Sequence, residues 1–194
     1  MGPQALTSAV VLVRHGETDW SRARRHTGRT DVPLTERGRR QAEKVGAALV
    51  DRRFALVLTS PLSRAVDTCR LAGRVGPAKD RQDLLEWDYG AYEGLTTAEI
   101  RVERPGWTLW DDGVRGGETV EQVGERVDRV IGELRKARGD AAVFAHGHLL
   151  RVLAARWLGL EPAGGKLFVL DPARISTLGY EHGRSALLSW NQSC

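Results

Sequence analysis

The chain has 194 residues, 41% of them hydrophobic and 28% charged. That is enough for a full core in one domain, and the sequence shows no low-complexity segment and no repeat at solenoid period. The formal net charge is only +4, yet just Lys44, Lys79, Lys136 and Lys166 are lysines among the 29 basic residues. Arginine supplies a planar fork suited to phosphate and carboxylate, although Arg37, Arg39 and Arg40 read as part of a solvated helix face.

The first element is "VVLV", Val10 to Val13. Its β-branched run lacks polar alternation, which predicts a strand buried on both faces, as in a parallel sheet. It ends abruptly in Arg14-His15-Gly16, and in open α/β sheets the crevice beyond the carboxyl ends of the strands takes the ligand. Thr35 predicts a helix cap, with Ala42, Val45, Leu49 and Val50 as the apolar stripe of a helix running to about Arg52. "FALVLTSP", Phe54 to Pro61, repeats the opening grammar: a strand ends at Ser60-Pro61 and a helix carrying Arg64, Ala65 and Thr68 begins. A short strand over Asp83 to Leu85 precedes the loop "EWDYGAYEGL". Loop or short helix is expected from there through Gly117.

Thr119 to about Ala137 is a strongly amphipathic helix, with Val120, Val123, Val127, Val130, Ile131 and Leu134 on its apolar face. "AAVFAHGHLLR" is a third strand, ending at His146-Gly147-His148 and entering a helix to about Leu158. Phe168 to Leu170, Ile175 to Tyr180 and Ala186 to Trp190 read as strands, joined by turns at Asp171-Pro172 and His182-Gly183. The predicted fold is a three-layer α/β sandwich, with a mostly parallel central sheet and helices on both faces, as one domain over residues 1–194.

Arg14 cuts short the only apolar run near the N-terminus, no basic residue precedes it, and nothing else approaches a membrane span. Gly2 lacks the Ser or Thr of a myristoylation signal, since position 6 is Leu. Cys69 and Cys194 make no framework, so a reducing, cytoplasmic setting without a disulfide is expected. Without a secretory signal, the sequon Asn191-Gln192-Ser193 carries little. Neither a phosphate-cradling G-x-x-x-x-G-K-[ST] nor a dinucleotide G-x-G-x-x-G follows any strand.

Parallel strands emerge on one edge, which would bring Arg14-His15, Ser60 to Arg64 and His146-Gly147-His148 to one pocket. An unprotonated imidazole is a nucleophile near neutral pH, and arginines hold the oxygens of a phosphoryl group, so two histidines with two arginines suit phosphoryl transfer to histidine. Glu86, beside Trp87, Tyr89 and Tyr92, is a candidate for a carboxyl kept partly protonated, ready to protonate a leaving alkoxide. Taken singly, each has a plainer reading: a lone histidine is more often a surface or satisfied core residue, Arg64 a helix-surface arginine, Glu86 a loop acid. His26 stays in that class, while His182, in a turn near strand ends, has somewhat better reach. His146 and His148 form an H-x-H without the further ligands zinc needs, so no metal is expected.

"VRHGET", "TSPLSRAVDT", "LLEWDYGAYEGL", "GGET" and "FAHGHLLR" occur in this order, at the expected strand ends. Together they resemble the histidine phosphatase superfamily, in its phosphoglycerate-mutase-like branch. The resemblance implies His15 as the nucleophile that becomes phosphohistidine, Arg14 and Arg64 as the phosphoryl grip, His146 as a stabiliser of the transferring group, and Glu86 as proton donor and then base for water. It implies Ser21, Thr27, Gly28, Tyr89, Gly147 and His148 in the substrate pocket. Gly16 would let the backbone turn closely around the phosphate.

Many mutases carry Asn at the positions of Ser21 and His148, and a lysine with paired arginines where this chain has "LTTAEIRVERPGW". Only Arg101, Arg104 and Arg115 are loose substitutes there. The resemblance therefore favours a metal- and cofactor-independent phosphatase of acid phosphatase or sugar-bisphosphatase type over a phosphoglycerate mutase. A non-catalytic phospho-ligand or nucleic-acid binding module is the rival from another class, and it would need neither His15 nor Glu86. The expected partner is a small phosphorylated substrate, with no nucleic acid or membrane, and an edge strand could support a homodimer.

Overall fold

The structure, a computed structural model, describes residues 8–73 and 78–194. Gly2 and Leu6, on which the lipidation expectation rests, lie outside them. The strands are β1 (Val10–Arg14), β2 (Leu56–Thr59), β3 (Lys79–Asp80), β4 (Ala141–Ala145), β5 (Ile175–Glu181) and β6 (Arg184–Gln192). They form one sheet in the order β3-β2-β4-β1-β5-β6. The pairs β1–β4, β4–β2 and β2–β3 are parallel, whereas β5 runs antiparallel to β1 and β6 to β5.

The helices are α1 (Asp19–Arg22), α2 (Glu36–Ala48), α3 (Ser63–Leu71), α4 (Thr97–Glu103), α5 (Leu109–Asp112), α6 (Val120–Leu134) and α7 (Gly147–Trp157). Successive side chains of β1 leave opposite faces of the sheet. Val11 and Val13 pack with Val45 of α2 and Cys69 of α3, while Val10 and Leu12 pack with Val127 of α6 and Leu150 of α7. Both faces are covered, so β1 and β4 could be read as unbroken apolar runs. Thr35 caps α2 as expected, accepting from the Gly38 amide at 3.0 Å.

Several elements differ from the sequence reading. The expected strand at Asp83 to Leu85 is a 3-10 turn over Gln82–Leu84, and the true strand, β3, lies just before it. The carbonyls of Asp83 and Leu85 accept from the Arg126 guanidinium, which leaves them no role in a ladder. Phe168 to Leu170 forms no strand either, because side chains take its carbonyls: the Trp190 indole donates to Val169 and Arg14 to Leu170. Helices α2 and α6 stop about three or four residues before the boundaries expected from their apolar stripes. Cys69 is buried, Cys194 exposed, and both are free thiols. Among the described residues, no helix is long and apolar enough to cross a membrane.

Candidate active site

Because β1, β2 and β4 are mutually parallel, their carboxyl ends share one edge, and Arg14-His15, Ser60 and His146 meet there. A pocket of about 360 Å³ opens at that edge, lined by Arg14, His15, Glu86, Tyr89 and His148 among others.

His15 is buried, and its Nδ1 lies 2.7 Å from the Gly16 carbonyl. A carbonyl only accepts, so Nδ1 carries the proton and Nε2 keeps its lone pair. Burial, followed by the charges of Arg64 and Arg14, holds the imidazole well below its usual range, so it stays neutral. The buried Nε–H of Arg14 has no partner among the described residues, while Nη1 donates to the Leu170 carbonyl. An unpaired, desolvated guanidinium N–H beside a neutral nucleophile is a place for an anionic oxygen. Gly147 makes room for it, since a Cβ there would lie 3.2 Å from the guanidinium carbon of Arg14.

Arg64 is fully buried, and its guanidinium donates to the carbonyls of Thr27, Gly28 and Thr30. Its Nε donates to Nδ1 of His146 at 3.2 Å, so the Nε2–H of His146 donates to Ser60 Oγ at 2.7 Å. Burial and the charge of Arg64 hold His146 well below the usual imidazole range. Both residues form the wall behind His15, whose ring meets that of His146 edge-on at 5.2 Å.

Glu86 is buried, and its carboxylate is tied to the start of α7. Oε2 accepts from the His148 amide at 3.0 Å, and Oε1 from the amides of Leu149 and Trp87 at 2.9 Å. The His148 and Leu149 amides belong to the first turn of α7 and have no partner within the helix, so Glu86 caps it. The aromatic setting expected for Glu86 is only partly present. The Trp87 indole turns away to the Glu118 carbonyl, and the Tyr92 hydroxyl accepts from Arg104.

Tyr89 is buried and bonded to Nδ1 of His148 at 2.6 Å. Burial raises the phenol well above its usual range and lowers the imidazole well below its own, so the phenol donates and His148 Nε2–H remains a donor. Ser21, Thr27, Gly147 and His148 all line the pocket, as the resemblance implies. Gly28 does not: it is packed under Trp87 and Tyr89, with its amide held by the Glu93 carboxylate and its carbonyl by Arg64. Gly16 also has a different reason from the expected one. A Cβ there would collide with the Gly38 carbonyl, so it is the close crossing of α2 that demands glycine.

The chain matches the model of the histidine phosphatase superfamily, branch 1, over residues 10–193. It belongs to that superfamily. It is 43% identical over 180 residues to an acid phosphatase of Mycobacterium tuberculosis, covering 90% of this chain and 87% of the relative. It is 37% identical over 191 residues to the sedoheptulose 1,7-bisphosphatase of Saccharomyces cerevisiae, covering 80% of this chain and 69% of the relative. A mycobacterial glucosyl-3-phosphoglycerate phosphatase, solved with VO3, superimposes with a TM-score of 0.87 at 31% identity, over 96% of this chain and all (100%) of that one. These histidine phosphatase relatives and neighbours are phosphatases.

Other pocket residues of this histidine phosphatase escaped the sequence reading: Arg24, Arg25, His26, Thr97, Arg151 and Asp171. Arg151 was legible, since it lies four residues, one helical turn, beyond Gly147 on α7. Its guanidinium lies over the Trp110 ring at 4.7 Å and donates to the Gly165 carbonyl. His26 is in the wall, with burial lowering its pKa to about 4, whereas His182 sits exposed in the β5–β6 turn beside Glu181. The sequence had ranked the two the other way. Of the loose mutase substitutes, Arg101 donates to the Trp107 carbonyl and Arg104 to Tyr92, and neither they nor Arg115 line the pocket. His146 and His148 bond to different partners, and no cluster of three metal-ligating side chains occurs among the described residues.

Proposed function

We propose that this chain works as one domain, a metal-independent phosphomonoesterase that hydrolyses small phosphorylated metabolites through a phosphohistidine at His15. The observation that carries the reading is the paired arrangement of His15, with its Nε2 lone pair free, and the unpartnered buried Nε–H of Arg14.

In the first step His15 Nε2 attacks phosphorus, the P–N bond forms and the bond to the leaving oxygen breaks. Glu86 gives its proton to that oxygen. Oε2, which accepts one amide where Oε1 accepts two, is the oxygen to carry the proton. In the second step Glu86 takes a proton from water, the hydroxide attacks phosphorus, and the P–N bond breaks to return neutral His15 and inorganic phosphate. Arg14 holds the non-bridging oxygens. Arg64 adds positive charge behind them, neutral His146 completes a fixed hydrogen-bonded wall, and Gly147 lets Arg14 lie against α7. Ser21, Thr27, Tyr89 and His148 meet the substrate beyond the phosphoryl group, with Gly28 acting through Arg64.

The alcohol side of the substrate is a small polyol or sugar, in keeping with the polar pocket wall and with the substrates for which the relatives are named. The setting proposed is cytoplasmic, in keeping with the two free thiols. The pocket suits a small molecule rather than nucleic acid, and β6, which pairs only with β5 among the described residues, is the edge through which a homodimer would form. The test is hydrolysis of p-nitrophenyl phosphate in excess chelator by the wild type and by His15→Ala. Turnover that persists in chelator and is lost in the variant supports the reading. Turnover that needs a metal, or survives the substitution, rejects it.

A further inference from the structure

The "GGET" block and the helix after it have no part in the chemistry above. Yet Arg126 of α6 sits on that helix's apolar side, near Val123, Val127 and Val130, with its side chain only 7% exposed. A guanidinium has five N–H donors, and each of them here has an acceptor. Nε and Nη2 form a fork onto the Glu118 carboxylate at 2.8 and 3.0 Å. Nη1 donates to the carbonyls of Asp83 and Leu85 at 2.8 and 2.5 Å, and Nη2 to the carbonyl of Glu86 at 3.2 Å.

Glu118 grips the other side of the same segment. Its carboxylate accepts from the Asp88 amide at 2.9 Å, its carbonyl accepts from the Trp87 indole at 2.8 Å, and its amide donates to the Asp88 carbonyl at 3.0 Å. Asp83 and the four residues from Leu85 to Asp88, the candidate proton donor among them, are thus held by one ion pair. Burying such a pair costs desolvation that apolar side chains of similar volume would avoid, so stability alone is a weak reason for it. What it does supply is a fixed backbone at Glu86, whose carboxyl must reach both the first turn of α7 and the leaving oxygen.

We propose that Arg126, acting with Glu118, is the positioning residue for the proton donor, an inference that rests on the reading of Glu86 given above. General acid catalysis contributes about 10²–10⁴-fold, and a carboxyl set loose from its backbone loses part of that. Lysine in place of Arg126 keeps the charge but not the fork.

The experiment measures kcat and KM of the wild type, Arg126→Lys, Glu118→Gln and Glu86→Gln on glycerol 2-phosphate and on p-nitrophenyl phosphate, whose leaving group departs without a proton. Thermal melts are run on each variant. For Arg126→Lys, kcat/KM, which reports transfer to His15 and excludes the later water step, is expected to fall about 10–100-fold on the alkyl ester and less than about threefold on the aryl ester. Glu118→Gln shows the same selectivity at smaller size, and decides the matter if Arg126→Lys does not fold. In an Arg126→Lys, Glu86→Gln double variant, the alkyl-to-aryl ratio falls no further than in Glu86→Gln alone. Equal losses on both esters, or an unchanged ratio, in variants that fold would overturn the proposal, as would failure of both single variants to fold. Equal losses of kcat/KM on the two esters in Glu86→Gln itself would instead overturn the acid role of Glu86.

Discussion

Arg64 donates its Nε–H to Nδ1 of His146 at 3.2 Å, and that bond fixes the proton on the far nitrogen of the second histidine, which donates to Ser60 Oγ at 2.7 Å. The order is guanidinium, imidazole, hydroxyl, all buried, with one arrangement of protons. Ser60→Ala leaves a buried N–H without an acceptor. It is expected to cost about 1–3 kcal/mol of unfolding free energy, measured by urea denaturation. A loss within error of zero would mean that the ring turns to another partner.

Gly16→Ala is expected to cost about 2–3 kcal/mol, because its Cβ would collide with the backbone of Gly38. Gly38→Ala, whose Cβ would strike the Glu17 carbonyl, is expected to cost a similar amount despite lying on α2. Urea titrations of both variants check this. If Gly16→Ala kept wild-type stability and only raised KM, the glycine would be serving the approach of phosphate instead.

This glycine illustrates what was legible in the sequence. That Gly16 matters could be read from its place at a strand end. Why it matters could not, because its neighbour comes from a helix over 20 residues away. The strands β1, β2 and β4 were legible because they are buried on both faces and leave unbroken apolar runs. β3 was misplaced, because Lys79 and Asp80 are both exposed and leave no pattern. His15, Arg14 and His146 could be placed by the strand-end rule alone, but Arg64 reads as a surface helix residue until its carbonyl partners on residues 27–30 are known. The same holds for Glu86, whose amide donors at 148 and 149 are sixty residues distant and carry no side-chain signature.

Stability is expected to fall with acidity. His15, His26, His146 and His148 all have folded-state pKa values below the unfolded 6.5, chiefly through burial. The unfolded chain therefore binds more protons, so stability is full above about pH 6.5 and declines as pH falls from there toward the folded values. For His26, lowered to about 4, the share is about 3 kcal/mol, lost between pH 6.5 and 4. Urea midpoints at pH 7.5 and 5 measure the decline, and His26→Phe should flatten it. An equal slope in that variant would show that His26 is not the group responsible.

The phosphatase and mutase readings separate on 3-phosphoglycerate. The expected outcome is release of inorganic phosphate with little 2-phosphoglycerate, since Arg101 and Arg104 are bonded to the Trp107 carbonyl and Tyr92 and lie off the pocket. Phosphate assay and NMR of the product mixture report both. Rapid interconversion of the two isomers with little free phosphate would assign the chain to the mutases.

The central claim is that His15 carries the phosphoryl group, and its most direct measurement is a quench at high pH during turnover of a phosphate ester, followed by peptide mass spectrometry. Nδ1 donates to the Gly16 carbonyl, so the account predicts phosphate on Nε2 of His15, stable in base and lost in acid, and absent from His15→Ala. A wild-type enzyme that turns over with no phosphohistidine under these conditions, or with phosphate on His146, His148 or another residue, would contradict it.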